Sequence, residues 1–246
     1  HQSGGRIALV PAGQWRTAGR PEVYLTVGDF AVLANLASSV PVGARRLLST
    51  VLRIAPGGRP TVVARGIRNA QGLTTARLDG RGALVATTHG PRGGDELIDV
   101  RPGDDYGWPR ESYGTVYAYS PTAVQSKPKV EGRLPTATKP AFAWLPSIGP
   151  SAVVQVAAGG VLSSWWGPVR GRPTGDLLVS GMADQRLYRV RWDDGAVRYV
   201  ESIAVGARIR SMTQTAAGVL VAGVDTAGPD AGSIMVLTPT AAWDSA

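Results

Sequence analysis

The segments Asp176-Leu-Leu-Val-Ser-Gly-Met182 and Arg186-Leu-Tyr-Arg-Val190 contain the pattern that decides the fold. Each is a short apolar run bounded by turn residues, which is typical of a β-strand. The turn Trp192-Asp-Asp-Gly195 closes the pair. This order of strand, loop, strand and turn occurs three more times along the chain. The other pairs of runs are 23–29 with 50–54, 83–90 with 96–100, and 219–225 with 233–237.

These four copies predict an all-β fold. A single strand pair cannot bury its apolar face, so the copies must pack around or along an axis. Their first runs start at irregular intervals, which favours a β-propeller over a regular solenoid. Only residues 30–48 are compatible with a helical turn, and a long excursion between strands is the alternative for them.

Residues 104–140 are predicted to form a long loop insertion rather than a blade. Proline has no N–H group to donate to a strand ladder, and it interrupts this region repeatedly. The prolines are Pro109, Pro121, Pro128, Pro135 and Pro140. Tyr106 and Trp108 are expected to anchor the start of the insertion and to be its most buried residues.

The composition of the chain excludes several classes of protein. Of its 246 residues, 32 are glycine and 18 are proline, which indicates many turns. There is no cysteine for disulfides or thiolate metal sites, and no apolar run long enough to span a membrane. The net charge of +8 raises nucleic acid as a partner. The arginines are scattered singly rather than gathered on one face, so no nucleic-acid partner is predicted.

Longer motifs occur in one order along the chain and suggest a family. Four of them lie between residues 66 and 114: Gly66-Ile-Arg-Asn-Ala-Gln-Gly-Leu73, Thr88-His-Gly-Pro-Arg-Gly-Gly-Asp-Glu96, Tyr106-Gly-Trp-Pro109 and Ser112-Tyr-Gly114. Supporting motifs are His1-Gln-Ser-Gly-Gly-Arg-Ile7, Thr26-Val-Gly-Asp29, Pro146-Ser-Ile-Gly-Pro-Ser151 and Arg208-Ile-Arg210. Together they resemble the soluble quinoprotein glucose and aldose-sugar dehydrogenases, the glucose/sorbosone dehydrogenase family. The resemblance implies a six-bladed β-propeller, with about four blades present in a single domain over residues 1–246 and the first blades missing.

The resemblance implies two catalytic residues. His1 resembles the family's general base, which takes the proton from the anomeric hydroxyl of the sugar while hydride passes to the quinone; histidine suits this role because it titrates near neutral pH. Asp29 matches the carboxylate that orients this imidazole. Two alternatives stay open for His1: an exposed terminal residue, or a copper ligand that acts with His89, the second histidine.

The resemblance also implies the cofactor pyrroloquinoline quinone (PQQ). Arg68, Asn69 and Gln71 match the segment that contacts this quinone in the family, and Arg208 and Arg210 match a second cofactor segment. Guanidinium groups suit a ligand with three carboxylates because they donate paired, charge-assisted hydrogen bonds. Alternation along a strand places Arg208 and Arg210 on one face. The alternative is that these arginines are structural and bond loop carbonyls.

Calcium is the second cofactor that the resemblance implies. Gly90 and Pro91 match positions whose main-chain carbonyls hold the calcium ion that bridges to the quinone. Glu96 and Tyr106 resemble a second, structural calcium site, through a carboxylate and a main-chain carbonyl; oxygen ligands suit this hard cation. Asp95 is expected to cap the adjoining loop. The alternative is a glycine-rich turn with solvated acidic residues.

One departure from the family pattern bears on the quinone directly. The family has a lysine that contacts the quinone where this chain has Ala183, so a cation is lost from an anionic site. The resemblance implies a PQQ-dependent sugar dehydrogenase, with a small-molecule sugar as substrate, an electron acceptor as partner, and an extracellular, periplasmic or cell-envelope location. The alternative is a non-catalytic binding protein on the same propeller with a degenerate cofactor site, and the change to Ala183 favours it.

Overall fold

The strand pattern of the sequence is realised as a series of antiparallel sheets. The computed structural model describes residues 2–15, 19–31, 42–55, 57–115, 130–171, 174–225 and 232–238. Within these residues, three sheets contain four strands each, one contains three, and one two-stranded ribbon lies within the insertion.

The first sheet has the order β1-β2-β3-β4, and each strand is antiparallel to its neighbour. The bounds of these strands are Gly4–Val10, Glu22–Val27, Thr50–Ile54 and Pro60–Arg65. The short helix α1, Val42–Arg45, lies between β2 and β3 in the sequence and contains the helical turn expected within residues 30–48.

The second sheet has the order β10-β7-β6-β5, so its outer strand follows the insertion. The strands of this region, in chain order, are β5 (Ala70–Leu78), β6 (Arg81–Thr88), β7 (Asp95–Val100), β8 (Glu111–Ser112), β9 (Val130–Glu131) and β10 (Phe142–Trp144). The strands β8 and β9 pair in parallel and have two residues each. Residues 104–140 therefore contain no long strand in their described part, while the prediction for residues 116–129 falls outside it.

The start of the insertion is buried, as expected. Tyr106 is 2% exposed and Trp108 is 6% exposed. The expectation that these two residues are the most buried of the insertion is wrong, because Leu134 is only 1% exposed. The Leu134 side chain, near the end of the insertion, is thus covered as completely as Tyr106 and Trp108 at its start.

The third sheet has the order β11-β12-β13-β14 and the fourth has the order β15-β16-β17. The bounds of β11 to β14 are Pro150–Gln155, Leu177–Gly181, Arg186–Asp193 and Ala196–Ala204. Those of β15 to β17 are Arg208–Gln214, Leu220–Asp225 and Gly232–Leu237. The second helix, α2 (Ser163–Trp166), lies between β11 and β12 in the sequence. Both helices have four residues, so within the described ranges no helix is long enough to cross a membrane.

The four recurring runs of the sequence form the second strand of each sheet. These strands are β2, β6, β12 and β16, and each is antiparallel to the strand that follows it. The strand β12 is covered on both faces, since Leu177, Leu178 and Val179 are 0% exposed, whereas β2 and β16 alternate between buried and less buried residues. The outer strand β14 is largely exposed or half-buried. The predicted recurrence of antiparallel strand pairs is therefore confirmed.

Contacts divide the chain into two compact units. The first contains His1–Thr75 and Gly82–Pro150, and the second contains Ala76–Arg81 and Ser151–Ala246. In the second unit, the Asp79 carboxylate accepts hydrogen bonds from Trp192 Nε1 at 2.7 Å and from the Gly195 N–H at 3.0 Å. This ties the β5–β6 turn to the β13–β14 turn.

Candidate functional site

Asp29 lies fully buried in the loop that follows β2. Its carboxylate accepts hydrogen bonds from the Ala31 N–H at 2.9 Å and from Trp108 Nε1 at 3.0 Å. Its own N–H donates to the Arg68 carbonyl at 2.9 Å. The carboxylate is thus held in one orientation, as a residue that orients a base requires. His1 lies outside the described residues, so its pairing with Asp29 stays a prediction.

Arg68 is 8% exposed and lies beside Asp29 at the end of the loop that precedes β5. Its Nη1 donates to the Gly90 carbonyl at 2.6 Å and to the His89 carbonyl at 3.3 Å. The Cζ atom lies 5.3 Å from the centroid of the Trp108 ring, within the range of a cation–π interaction. The bonds to loop carbonyls are those expected of a structural arginine. They also fix the guanidinium in a buried place.

The Gln2 amide links the two charged side chains. In the orientation that gives each amide atom a partner, its nitrogen donates to Asp29 Oδ1 at 2.5 Å and its oxygen accepts from Arg68 Nη2. We call Gln2, Asp29, Arg68 and Trp108 the Asp29–Arg68 cluster. Sequence reasoning did not assign Gln2 or Trp108 to the site, although both belong to the quoted motifs, because contacts between distant positions leave no local pattern.

Asn69 and Gln71 bind each other next to this cluster. Asn69 Oδ1 accepts hydrogen bonds from Gln71 Nε2 at 2.9 Å and from the Gly4 N–H at 3.0 Å. The Asn69 N–H donates to Thr88 Oγ1 at 3.0 Å. These bonds tie the starts of β1 and β5 to the end of β6. The structure therefore brings Asp29, Arg68, Asn69 and Gln71 together in the first unit.

Arg208 and Arg210 lie in the second unit, and their convergence with Arg68 stays a prediction. Both are exposed on β15 while Ile209 between them is 0% exposed. The pairing of β15 with β16 shifts register between Ile209 and Ser211, so the shared face of the two arginines stays a prediction. Arg208 Nη1 donates to the Met182 carbonyl at 3.0 Å. Arg210 donates to the Asp225 carboxylate through Nε at 3.0 Å and through Nη2, which lowers the pKa of Asp225.

Ala183 is exposed in the turn between β12 and β13. Its neighbour Met182 provides the carbonyl that Arg208 binds. The short side chain at this position brings no charge to the turn. Arg186, the first residue of β13 after this turn, donates from Nη1 to Ser202 Oγ at 3.1 Å.

The four predicted calcium-binding residues line one small cavity in the first unit. The space has a volume of about 10 Å³, which is roughly enough for one water molecule, and its lining also includes Arg68, Trp108 and Glu111. Glu96 is 7% exposed. Its burial, with a smaller contribution from the charge of Asp95, raises the pKa of Glu96 to about 8.

The chemistry around this cavity is mixed, because the carboxylates of Glu96 and Glu111 suit a hard cation whereas the Arg68 guanidinium in the same lining does not. Among the residues that the structure describes, the Glu96 carboxylate has no hydrogen-bond or ion-pair partner. The described part of the chain contains no group of three or more His, Cys, Asp or Glu side chains that could hold a metal ion. A cation at Glu96 would therefore depend on main-chain carbonyls such as those of Gly90 and Pro91. The Gly90 carbonyl already accepts a hydrogen bond from Arg68 Nη1 at 2.6 Å, so a cation would have to displace this guanidinium or share the carbonyl with it.

Asp95 caps the loop beside the cavity, as expected from the sequence. Its Oδ1 accepts from the Gly90 N–H at 3.0 Å, and its Oδ2 accepts from the Ile148 and Gly149 N–H groups at 2.8 Å each. The loop is also tightly packed, because a Cβ atom at Gly90 would lie 2.4 Å from the Gly94 carbonyl oxygen. Asp95 thus fixes the loop that carries the Gly90 carbonyl and leaves the neighbouring Glu96 without these donors.

Comparisons with known proteins identify relatives of the chain. The profile of the Glucose / Sorbosone dehydrogenase family matches residues 50–235. The uncharacterized protein slr1608 of Synechocystis sp. is 29% identical over 184 residues, which cover 74% of this chain and 37% of that protein. The aldose sugar dehydrogenase YliI of Escherichia coli is 36% identical over 89 residues, which cover 36% of this chain and 22% of that protein.

Solved structures confirm the all-β propeller fold predicted from the sequence. A crystal structure of a glucose dehydrogenase has a TM-score of 0.70 and 25% sequence identity, and the match covers 96% of this chain and 64% of that one. The PQQ-bound aldose sugar dehydrogenase of Streptomyces coelicolor has a TM-score of 0.59 and 22% identity, with 96% and 61% coverage. The chain therefore spans less than two thirds of the length of these proteins.

Proposed function

Because this chain belongs to the glucose/sorbosone dehydrogenase family, we propose that it is a PQQ-dependent aldose dehydrogenase. The observation that carries the proposal is the Asp29–Arg68 cluster, in which a buried carboxylate and a buried guanidinium lie beside the amides of Asn69 and Gln71. An aldose as substrate and PQQ as cofactor are supported by the names of two relatives. An electron acceptor and a location outside the cytoplasm belong to the same proposal and are supported by the family resemblance alone.

In this proposal, His1 and Asp29 carry out proton transfer, and Arg68 binds an anion. His1 accepts the proton of the anomeric hydroxyl, and Asp29 orients the imidazole and stabilises its charged form. PQQ, when bound, supplies the acceptor for the hydride. Arg68 binds an anionic group of the quinone through charge-assisted hydrogen bonds. The Ala31 and Trp108 donors keep Asp29 in place while its charge is used.

Calcium binding also belongs to the proposal and is supported by residues of the first unit. Glu96 is a buried carboxylate with a raised pKa, and the carbonyl-bearing residues Gly90 and Pro91 line the same cavity. A divalent cation would favour the ionised form of Glu96 and provide the partner that the described residues do not. The cavity has space for an ion and not for a quinone, so the quinone would lie outside it.

A second candidate function is supported by contacts in the second unit. Ala183 is neutral and exposed, Arg208 binds the Met182 carbonyl, and Arg210 is neutralised by Asp225. This loss of free positive charge favours a non-catalytic binding protein that uses the same fold with a degenerate quinone site. Fold alone does not decide between the two, because function depends on the site.

Sugar-dependent dye reduction tests the proposal. The full-length protein, loaded with PQQ and calcium, is expected to reduce an artificial dye when an aldose is added. The variant Asp29→Asn should bind the quinone within about twofold of the wild type and lose at least about 100-fold in kcat, because general-base catalysis contributes about 10²–10⁴-fold. Quinone binding without any sugar-dependent reduction would favour the binding protein instead.

A further inference from the structure

Trp108 contacts both charged residues of the Asp29–Arg68 cluster through different parts of its indole. Its Nε1 donates to Asp29 Oδ2 at 3.0 Å, and its ring faces the Arg68 guanidinium at 5.3 Å. The side chain is 6% exposed, and its main-chain N–H donates to the Gly66 carbonyl at 3.1 Å. The indole is therefore fixed by its backbone and covered by the fold.

We propose that Trp108 is a positioning residue with two separable functions, and this inference rests on the proposed function. The indole N–H fixes the Asp29 carboxylate that orients the base. The ring face fixes the Arg68 guanidinium that binds the quinone. Trp108 touches neither the sugar nor the quinone in this proposal and acts only through these two side chains.

The chemistry of an indole suits this position because the group is neutral. A lysine or arginine donor at the same place would neutralise Asp29, whereas an indole N–H donates a hydrogen bond and brings no charge. The ring attracts the guanidinium through its quadrupole and likewise leaves the positive charge in place. Trp108 therefore adds no compensating charge to Asp29, which faces the imidazole in this proposal, or to Arg68, which faces the anionic ligand.

The second unit contains a matched control for the hydrogen bond. Trp192 Nε1 donates to Asp79 Oδ2 at 2.7 Å, and Trp192 is 4% exposed. That pair connects two turns and includes none of the residues assigned to the site. Loss of the Trp192 bond should therefore lower stability about as much as loss of the Trp108 bond, without an effect on the reaction.

The two functions predict different results for two substitutions in the holoprotein. Trp108→Phe keeps a ring for Arg68 and removes the N–H group, so kcat should fall about tenfold or more while the Kd for PQQ stays within about twofold. Trp108→Leu removes both, so the Kd for PQQ should also rise about fivefold. Trp192→Phe should leave both quantities unchanged. An equal decrease of kcat in Trp108→Phe and Trp192→Phe would overturn the inference.

A double-mutant cycle on unfolding tests the Asp29 contact without quinone or sugar. Trp108→Phe and Asp29→Ala, which removes the acceptor oxygen, should be non-additive by at least about threefold in the unfolding equilibrium constant, because residues in contact couple. Trp192→Phe and Asp29→Ala should be additive. Additivity of the Trp108 pair would overturn the inference even if the protein is an active dehydrogenase. A wild type that binds no quinone would overturn the proposed function and leave this cycle to decide the role of Trp108.

Discussion

Replacement of Glu96 by Gln should stabilise the calcium-free protein, and the gain should grow with pH. Burial raises the pKa of Glu96 from its ordinary value of 4.5 to about 8, so the folded state favours the neutral carboxyl. The stability that this neutral group contributes is fully present below about pH 4.5 and is lost as the pH rises towards 8. At 1.36 kcal/mol for each pH unit above 4.5, the loss at pH 7 is about 3 kcal/mol. Glutamine is neutral throughout, so it should avoid most of this loss.

Urea unfolding in the presence of a chelator, between pH 5 and pH 9, measures this effect. Glu111→Gln is the matched control, because Glu111 accepts hydrogen bonds from Thr136 and Ala137 that lower its pKa. That variant should lose stability at neutral pH. The reasoning is refuted if Glu96→Gln is less stable than the wild type at pH 8. It is also refuted if the free energy of unfolding depends on pH in the same way in Glu96→Gln and in the wild type.

Three further substitutions test other parts of the structure. Arg189→Ala should lower the free energy of unfolding by about 2 kcal/mol, measured by urea unfolding, because the 0% exposed Asp176 loses its partner at 2.6 Å and keeps Arg191 at 3.6 Å. Gly90→Ala should lower the melting temperature, because its Cβ would lie 2.4 Å from a carbonyl oxygen of the same loop; Gly43→Ala, where nothing lies within 4 Å, should not. Ala183→Lys should tighten PQQ binding about tenfold or more in an absorbance titration, because it returns a charged hydrogen-bond donor. An unchanged Kd would count against the assigned position of the missing lysine.

The fold could be predicted from the sequence where the pattern is local. The second and third strands of each sheet are apolar runs closed by turns, so β12 and β13 could be recognised from their own residues. Outer strands gave no such signal. The strand β10 follows the whole insertion, and its place beside β7 depends on pairing between residues far apart in the sequence. The run that forms β14 is exposed and has no buried face to reveal it.

Only the site residues that belong to the family motifs could be predicted from the sequence, and the contacts between them could not. Asp29, Arg68, Asn69 and Gln71 were marked by the family resemblance, and the structure brings them together. The linking contacts of Gln2 and Trp108 are tertiary, since Trp108 lies 79 positions from Asp29 in the sequence. Likewise, the raised pKa of Glu96 depends on burial that no spacing of acidic residues discloses.

Titration of the full-length protein with PQQ in the presence of calcium tests the central claim most directly. The absorbance of the quinone reports binding without requiring turnover. We expect saturable binding to the wild type, with affinity at least about tenfold weaker in Arg68→Ala, because one charge-assisted hydrogen bond contributes about 1.5–3 kcal/mol. The exposed Arg77 donates to the Gly80 carbonyl in a turn, so Arg77→Ala should bind as the wild type does. No saturable binding to the wild type, or equal affinities in the two arginine variants, would contradict a quinone site at the Asp29–Arg68 cluster.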